Sequence, residues 1–143
     1  MTGVSNMQIL LAEDNQDDIF LIELVVKELN INESLTITRD GKTTIDLLNN
    51  LAKENGKLPE LILLDINLPK MTGLEVLKHI KTQKSTKHIP VAIFTSSSLD
   101  SDMNCCYEHG ADLYIRKPND IVEFKKAMLH AIQLAKKLKN KVC

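Results

Sequence analysis

The chain has 143 residues, a formal net charge of −1, 43% apolar side chains and 26% charged ones, which fits one globular domain of ordinary size. Near-neutral charge excludes a broadly basic nucleic-acid surface and an electrostatic membrane anchor, and the longest early apolar run, Ile9 to Ala12, is far too short to span a bilayer. Residues 1–6 form no basic, apolar leader, so a cytoplasmic protein is expected.

The run from Gln8 to Ala12 reads as a buried strand closed by polar residues. Ile22, Val25, Val26 and Leu29 then recur at helical spacing. Asn15 is placed to cap that helix, with Asp17 and Asp18 in its electropositive first turn. Leu35 to Thr38 alternates as a strand does. Thr44, Ile45, Leu48 and Ala52 share one face of a second helix that ends near Asn55-Gly56. Leu61 to Leu64 is the most apolar run and is expected at the centre of a sheet. Leu74, Leu77 and Ile80 mark the helix after it. Pro90 opens a fourth strand, Val91 to Phe94, at a position where a missing N–H is tolerated. Ser97 or Ser98 is expected to cap the next helix, which runs to His109 and stops at Gly110. Leu113 to Ile115 is the fifth strand. Ile121, Phe124, Met128, Ile132, Ala135 and Leu138 then sustain a helical spacing through the last helix. Five strand–helix units imply a parallel sheet with helices on both faces. Such sheets bind ligands beyond the carboxyl ends of their strands.

Those ends carry chemistry. Glu13-Asp14 follows the first strand, Asp65-Ile66-Asn67-Leu68-Pro69 ends the third, Thr95-Ser96 the fourth and Arg116-Lys117-Pro118 the fifth. Three carboxylates crowded at one sheet edge repel one another. A hard divalent cation relieves that repulsion, and Mg²⁺ suits an oxygen-donor set. Carboxylate, cation, hydroxyl and ammonium together handle phosphoryl groups. Asp65 is the candidate nucleophile, forming an acyl phosphate, while Lys117 meets one phosphoryl oxygen and Thr95 donates to another.

Glu13-Asp14, then Asp65 through Gly73, then Thr95-Ser96, then Lys117-Pro118 resembles the receiver domain of two-component signalling. The resemblance covers residues 7 to 138 and leaves 1–6 and 139–143 as tails. It implies a flavodoxin-like doubly wound fold with five parallel strands in the order 2-1-3-4-5. It also implies that Asp65 accepts the phosphoryl group of a kinase phosphohistidine, and that Glu13, Asp14, Asp65 and the backbone carbonyl of Asn67 hold Mg²⁺. Thr95 and Tyr114 would turn inward toward the phosphoryl group, and a cis peptide before Pro118 would aim Lys117 into the pocket. The acid pair is Glu-Asp where the family often has Asp-Asp, a variant that changes no role. The motif order is similar to that of the small regulators paired with bacterial phytochromes, whose phosphorylated face also dimerises. Expected partners are a sensor histidine kinase or phosphotransfer protein, a downstream protein, and a second copy docking through the face around strands four and five and the last helix.

Competing readings fit less well. A haloacid-dehalogenase-type phosphatase wants a second acid where Asn67 stands, and a cap over its site. A flavodoxin-type electron carrier would meet Glu13-Asp14-Asn15 where it needs hydroxyls for a phosphate, and no G-x-x-x-x-G-K-[ST] supports a P-loop NTPase. The chain is therefore read as a signalling switch, not an enzyme, that slowly hydrolyses its own aspartyl phosphate. Asp17 and Asp18 are read as helix-dipole acids, and Gly73 as a relaxed turn into the third helix. Cys105, Cys106 and Cys143 are read as reduced thiols. The lysines from 136 to 141 are read as a solvated tail, since no aromatics interleave with them as at a nucleic-acid site. The residues after Lys117-Pro118 leave no room for a DNA-binding domain, so output is expected through protein contacts.

Overall fold

The computed structural model describes residues 7–29 and 34–141; residues 1–6, 142 and 143, expected as tails, lie outside them. Strands and helices alternate as β1 (Ile9–Ala12), α1 (Gln16–Glu28), β2 (Leu35–Thr38), α2 (Gly41–Lys53), β3 (Leu61–Leu64), α3 (Gly73–Thr82), β4 (Val91–Thr95), α4 (Asp100–Glu108), β5 (Leu113–Arg116) and α5 (Ile121–Lys141). The strands form one parallel sheet in the order β2-β1-β3-β4-β5, with β3 in the middle. This is the flavodoxin-like topology expected from the sequence.

β1, β3 and β4 are buried along their whole length, as continuous apolar runs demand of strands covered on both faces. The two-residue period of each strand divides its side chains between two cores. On one face Ile9, Leu11, Leu63 and Phe94 pack with Ile22 and Val25 of α1 and with Phe124 and Met128 of α5. Phe94 and Phe124 meet edge to face with ring centres 5.1 Å apart. On the other face Leu10, Ile62, Leu64 and Ile93 pack with Leu48 of α2, Leu77 and Ile80 of α3 and Cys106 of α4. Burial pushes the Cys106 thiol up to about 11, so it stays protonated and serves as a small apolar side chain. Among the described residues no helix is long and apolar enough to cross a membrane.

Local signals set most helix ends. The Asn15 side chain accepts the Asp18 N–H at 3.0 Å and caps α1. α2 closes with Asn55 at φ 56° and the Gly56 N–H donating to the Leu51 carbonyl at 2.8 Å. α4 closes on Gly110 at φ 98°, whose left-handed backbone lets the Ala111 N–H reach the Cys106 carbonyl at 3.0 Å. Two expectations need correction. Neither Ser97 nor Ser98 caps α4; Leu99 occupies that position without a side-chain bond. The Ser97 hydroxyl instead pairs with the Asp102 carboxylate at 2.5 Å and accepts the Leu99 N–H at 3.3 Å, which carries the loop further before the helix starts. α5 continues to Lys141, so the backbone of residues 139–141, expected as a tail, is helical.

The β3–α3 loop is folded tightly beneath the sheet edge. Lys70 lies at φ 69° in a three-residue turn closed by the Met71 N–H on the Pro69 carbonyl at 2.8 Å. Thr72 and Glu75 form a reciprocal capping box at the start of α3. A Cβ at Gly73 would lie 2.1 Å from the Asp65 carbonyl oxygen and 2.5 Å from the Ile66 Cα. Gly73 is therefore a contact point between backbones, not a relaxed turn. Gly73→Ala should cost about 2 kcal/mol or more, because the loop must lift off the end of β3. A urea titration with an unchanged slope reads that loss directly; a midpoint equal to that of the parent chain would show that the approach is not required.

Candidate functional site

β1 and β3 pair in register, Ala12 opposite Leu64, so Glu13 and Asp65 leave the sheet side by side. The Asp65 N–H donates to the Ala12 carbonyl at 3.1 Å and fixes that relation. Glu13 is fully buried, Asp65 is buried and Asp14 is exposed. One carboxylate oxygen from each of the three lies within 4.8 Å of the others. Asn67 stands exposed at the rim, its N–H donating to Asp65 Oδ1 at 3.2 Å.

Lys117 reaches this cluster from the end of β5. Its N–H donates to the Thr95 carbonyl at 2.7 Å, and its side chain crosses the Phe94 ring with Nζ 5.4 Å from the centroid. The ammonium ends 2.9 Å from Glu13 Oε1 and 3.4 Å from Asp65 Oδ2. No peptide bond among the described residues is cis, so the bond before Pro118 is trans, the more stable isomer of X–Pro bonds. The expected cis bond is thus corrected: Lys117 enters the pocket from a trans backbone.

Burial of Glu13, reinforced by the Asp65 charge, pushes its carboxyl from the ordinary 4.5 to about 7. The Asn15 N–H at 3.1 Å and the Lys117 ammonium only partly offset this. Among the described residues no donor points along a hydrogen-bond direction at the buried Glu13 Oε1, although the ammonium is at ion-pair distance. Burial by itself would lower the Lys117 pKa, yet the close Asp18 and Glu13 carboxylates and the Asp65 charge outweigh it and raise the value. An under-satisfied buried carboxylate beside two further acids fits a hard divalent cation such as Mg²⁺.

The remaining candidates, on β4 and β5, both bond to Ser97 of the loop that follows β4. Thr95 is fully buried and its Oγ1 accepts the Ser97 N–H at 3.3 Å. Tyr114 is half-buried against the second core, and its hydroxyl donates to the Ser97 carbonyl at 3.1 Å. Its N–H meets the Tyr107 hydroxyl of α4 at 3.1 Å. Thr95, Tyr114 and α4 are thereby tied through Ser97 and Tyr107, neither of which the sequence reading placed at the site.

Asp18 is the main residue that reading missed. Its Oδ2 lies 2.7 Å from Lys117 Nζ, the shortest of the ammonium's carboxylate contacts. A signal was present: Asp18, Ile22 and Val25 fall on one helix face, and the two apolar members are buried. Asp17, one position back, is exposed, as a helix-dipole acid should be.

The family description "response regulator receiver domain" matches residues 9–129. The chain belongs to that family. Its receiver domain is a phosphoacceptor of two-component signalling, and nothing favours the haloacid-dehalogenase alternative. Response regulator Rcp1 of Synechocystis sp. is 39% identical over 119 residues, which are 82% of this chain and 81% of that protein. The crystal structure of the Mn²⁺-bound form of Rcp1 superposes with a TM-score of 0.76 at 38% identity, covering 85% of this chain and 88% of that one. The phosphorylated cyanobacterial phytochrome response regulator RcpA gives a TM-score of 0.78 at 32% identity, covering 86% and 89%.

Glu13 gives this receiver domain a pH signature. Its folded pKa, about 7, lies above its ordinary 4.5, so between those values the folded chain keeps a proton that the unfolded chain has released. Stability of the metal-free chain should therefore fall as pH rises through that window, by about 2–3 kcal/mol from this residue alone. Glu13→Gln should flatten the fall, as read by urea unfolding at pH 5 and pH 8 in EDTA. An equal fall in parent and variant would refute the assignment to Glu13.

Proposed function

We propose that Asp65 is the phosphoacceptor and that this chain is a response regulator charged by a sensor histidine kinase or a phosphotransfer protein. An Asp65 carboxylate oxygen attacks phosphorus, the phosphorus–nitrogen bond of the donor phosphohistidine breaks, and the imidazole nitrogen leaves with the bonding pair. The observation that carries this reading is the convergence of Glu13, Asp14 and Asp65 with the Lys117 ammonium at the ends of β1, β3 and β5. Glu13, Asp14, Asp65 and the Asn67 carbonyl would hold Mg²⁺, which when bound offsets charge on the phosphoryl oxygens. Lys117 supplies the fixed positive charge of the protein itself, and Thr95 donates its hydroxyl to the phosphoryl group.

The same arrangement lets the acyl phosphate hydrolyse slowly, so the signal is self-limiting. Output passes through protein contacts. Ser97 links Thr95 and Tyr114, so engaging Thr95 pulls on the loop that leads into α4. α4 exposes Tyr107 and α5 exposes Val122 and Leu129, apolar surface that suits a downstream protein or a second copy on the face around β4, β5 and α5. A cytoplasmic location follows from a donor kinase that acts there.

Intact mass after incubation with acetyl phosphate tests the reading. One phosphoryl adduct that requires Mg²⁺, is labile in base and is absent from Asp65→Asn is expected. An adduct that persists in Asp65→Asn would move the acceptor elsewhere. Lys117→Ala should still take up some phosphoryl group but fail to convert it into dimerisation or partner binding. Light scattering of the phosphorylated variant checks this, and full dimerisation without Lys117 would defeat it.

A further inference from the structure

Lys117 has three carboxylate neighbours, and the nearest does not belong to the group that would hold a cation. Nζ lies 2.7 Å from Asp18 Oδ2, against 2.9 Å to Glu13 and 3.4 Å to Asp65. Asp18 sits in the first turn of α1, where the Asn15 side chain holds its N–H at 3.0 Å and fixes the start of the helix. The side chains of the pair are 14% and 25% exposed, so solvent and salt screen it less than they would a surface pair.

We propose that Asp18 is a positioning residue that holds the Lys117 ammonium in competition with the phosphoryl group, and so sets how strongly phosphorylation engages Lys117. The proposal rests on the reading of Asp65 as phosphoacceptor. An ammonium has three donors, and Asp18, Glu13 and Asp65 are the acids that call on them here. A cation held by Glu13, Asp14 and Asp65 weakens the pull of Glu13 and Asp65 on Lys117. Asp18 lies outside the group of acids that would hold that cation, so the remaining contest is between the Asp18 carboxylate and the phosphoryl oxygens. A ligand shifts such an equilibrium only by its differential affinity for the two arrangements, and Asp18 fixes the arrangement that the phosphoryl group must displace. Removing the Asp18 charge should therefore strengthen phosphoryl engagement. A merely structural part for Asp18 predicts the opposite sign.

The test uses beryllofluoride, a mimic of the phosphoryl group, titrated calorimetrically into the full chain at saturating Mg²⁺. Asp18→Asn is close to isosteric and leaves the helix cap untouched. It should bind the probe about five-fold more tightly than the parent, as expected for loss of one partly buried ion pair. In a Lys117→Ala background the same substitution should give no gain, because the competition has lost its object. Unchanged or weaker binding by Asp18→Asn overturns the proposal, as does an equal gain without Lys117, which would reduce Asp18 to background charge. If the parent chain fails to bind the probe, or Asp65→Asn binds it as well as the parent does, the reading of Asp65 falls and takes the proposal with it.

Discussion

The site depends on one ammonium held among acids. Glu13, Asp14, Asp18 and Asp65 crowd the carboxyl ends of β1 and β3 and the first turn of α1, and Lys117 is the cation that the described residues set against them. A single positive charge cannot balance four negative ones. Burial, with the Asp65 charge added to it, drives Glu13 toward a protonated state near neutral pH. The folded chain thus carries excess negative charge at this edge, which a divalent cation would offset. Such unsatisfied sites cost stability and are kept for what they bind.

The scaffold spends its most exacting geometry on holding that edge still. Gly73 brings the start of α3 against the Asp65 carbonyl, and Gly41 brings the start of α2 against Met71, leaving no space for a Cβ at either place. The Thr72–Glu75 capping box stiffens the segment between them. On the opposite side Phe94 lies under the Lys117 stem and packs edge-on against Phe124 of α5. The acid side is therefore tied to one core and the lysine side to the other.

Much of this was legible in the sequence, for a physical reason. Strand and helix periods differ, so Leu61 to Leu64 and the α5 pattern announced their elements, and a repeated strand–helix order allows few topologies. The strand-end residues are contiguous with those strands, so the positions of Glu13, Asp14, Asp65, Thr95 and Lys117 followed from the elements. What was not legible depends on directions and distances across the chain. Asp18 looked like a dipole acid because its partner is Lys117, 99 positions away. The tightness around Gly73 belongs to a backbone approach, which no residue pattern encodes. Among three adjacent serines, the sequence could not say which hydroxyl Asp102 would claim, and the start of α4 moved accordingly.

α4 stands apart from the other helices of the sheet. Cys106 is its one buried side chain, its N-cap makes no side-chain bond, and its first residues hang from Ser97. Local opening free energy scales with the apolar surface and hydrogen bonds that an element must give up, so α4 has the least to lose. Its beginning is also the segment to which Thr95 and Tyr114 are fastened. A rearrangement worth a few kcal/mol at the pocket, the usual gap between two populated conformers, is too small to shift the rigid sheet but commensurate with the grip on this helix. Among the described residues α4 is thus the helix with the fewest buried side chains to hold it, and on the proposed reading of Asp65 a partner on its outer surface would sense the state of that carboxylate without approaching it.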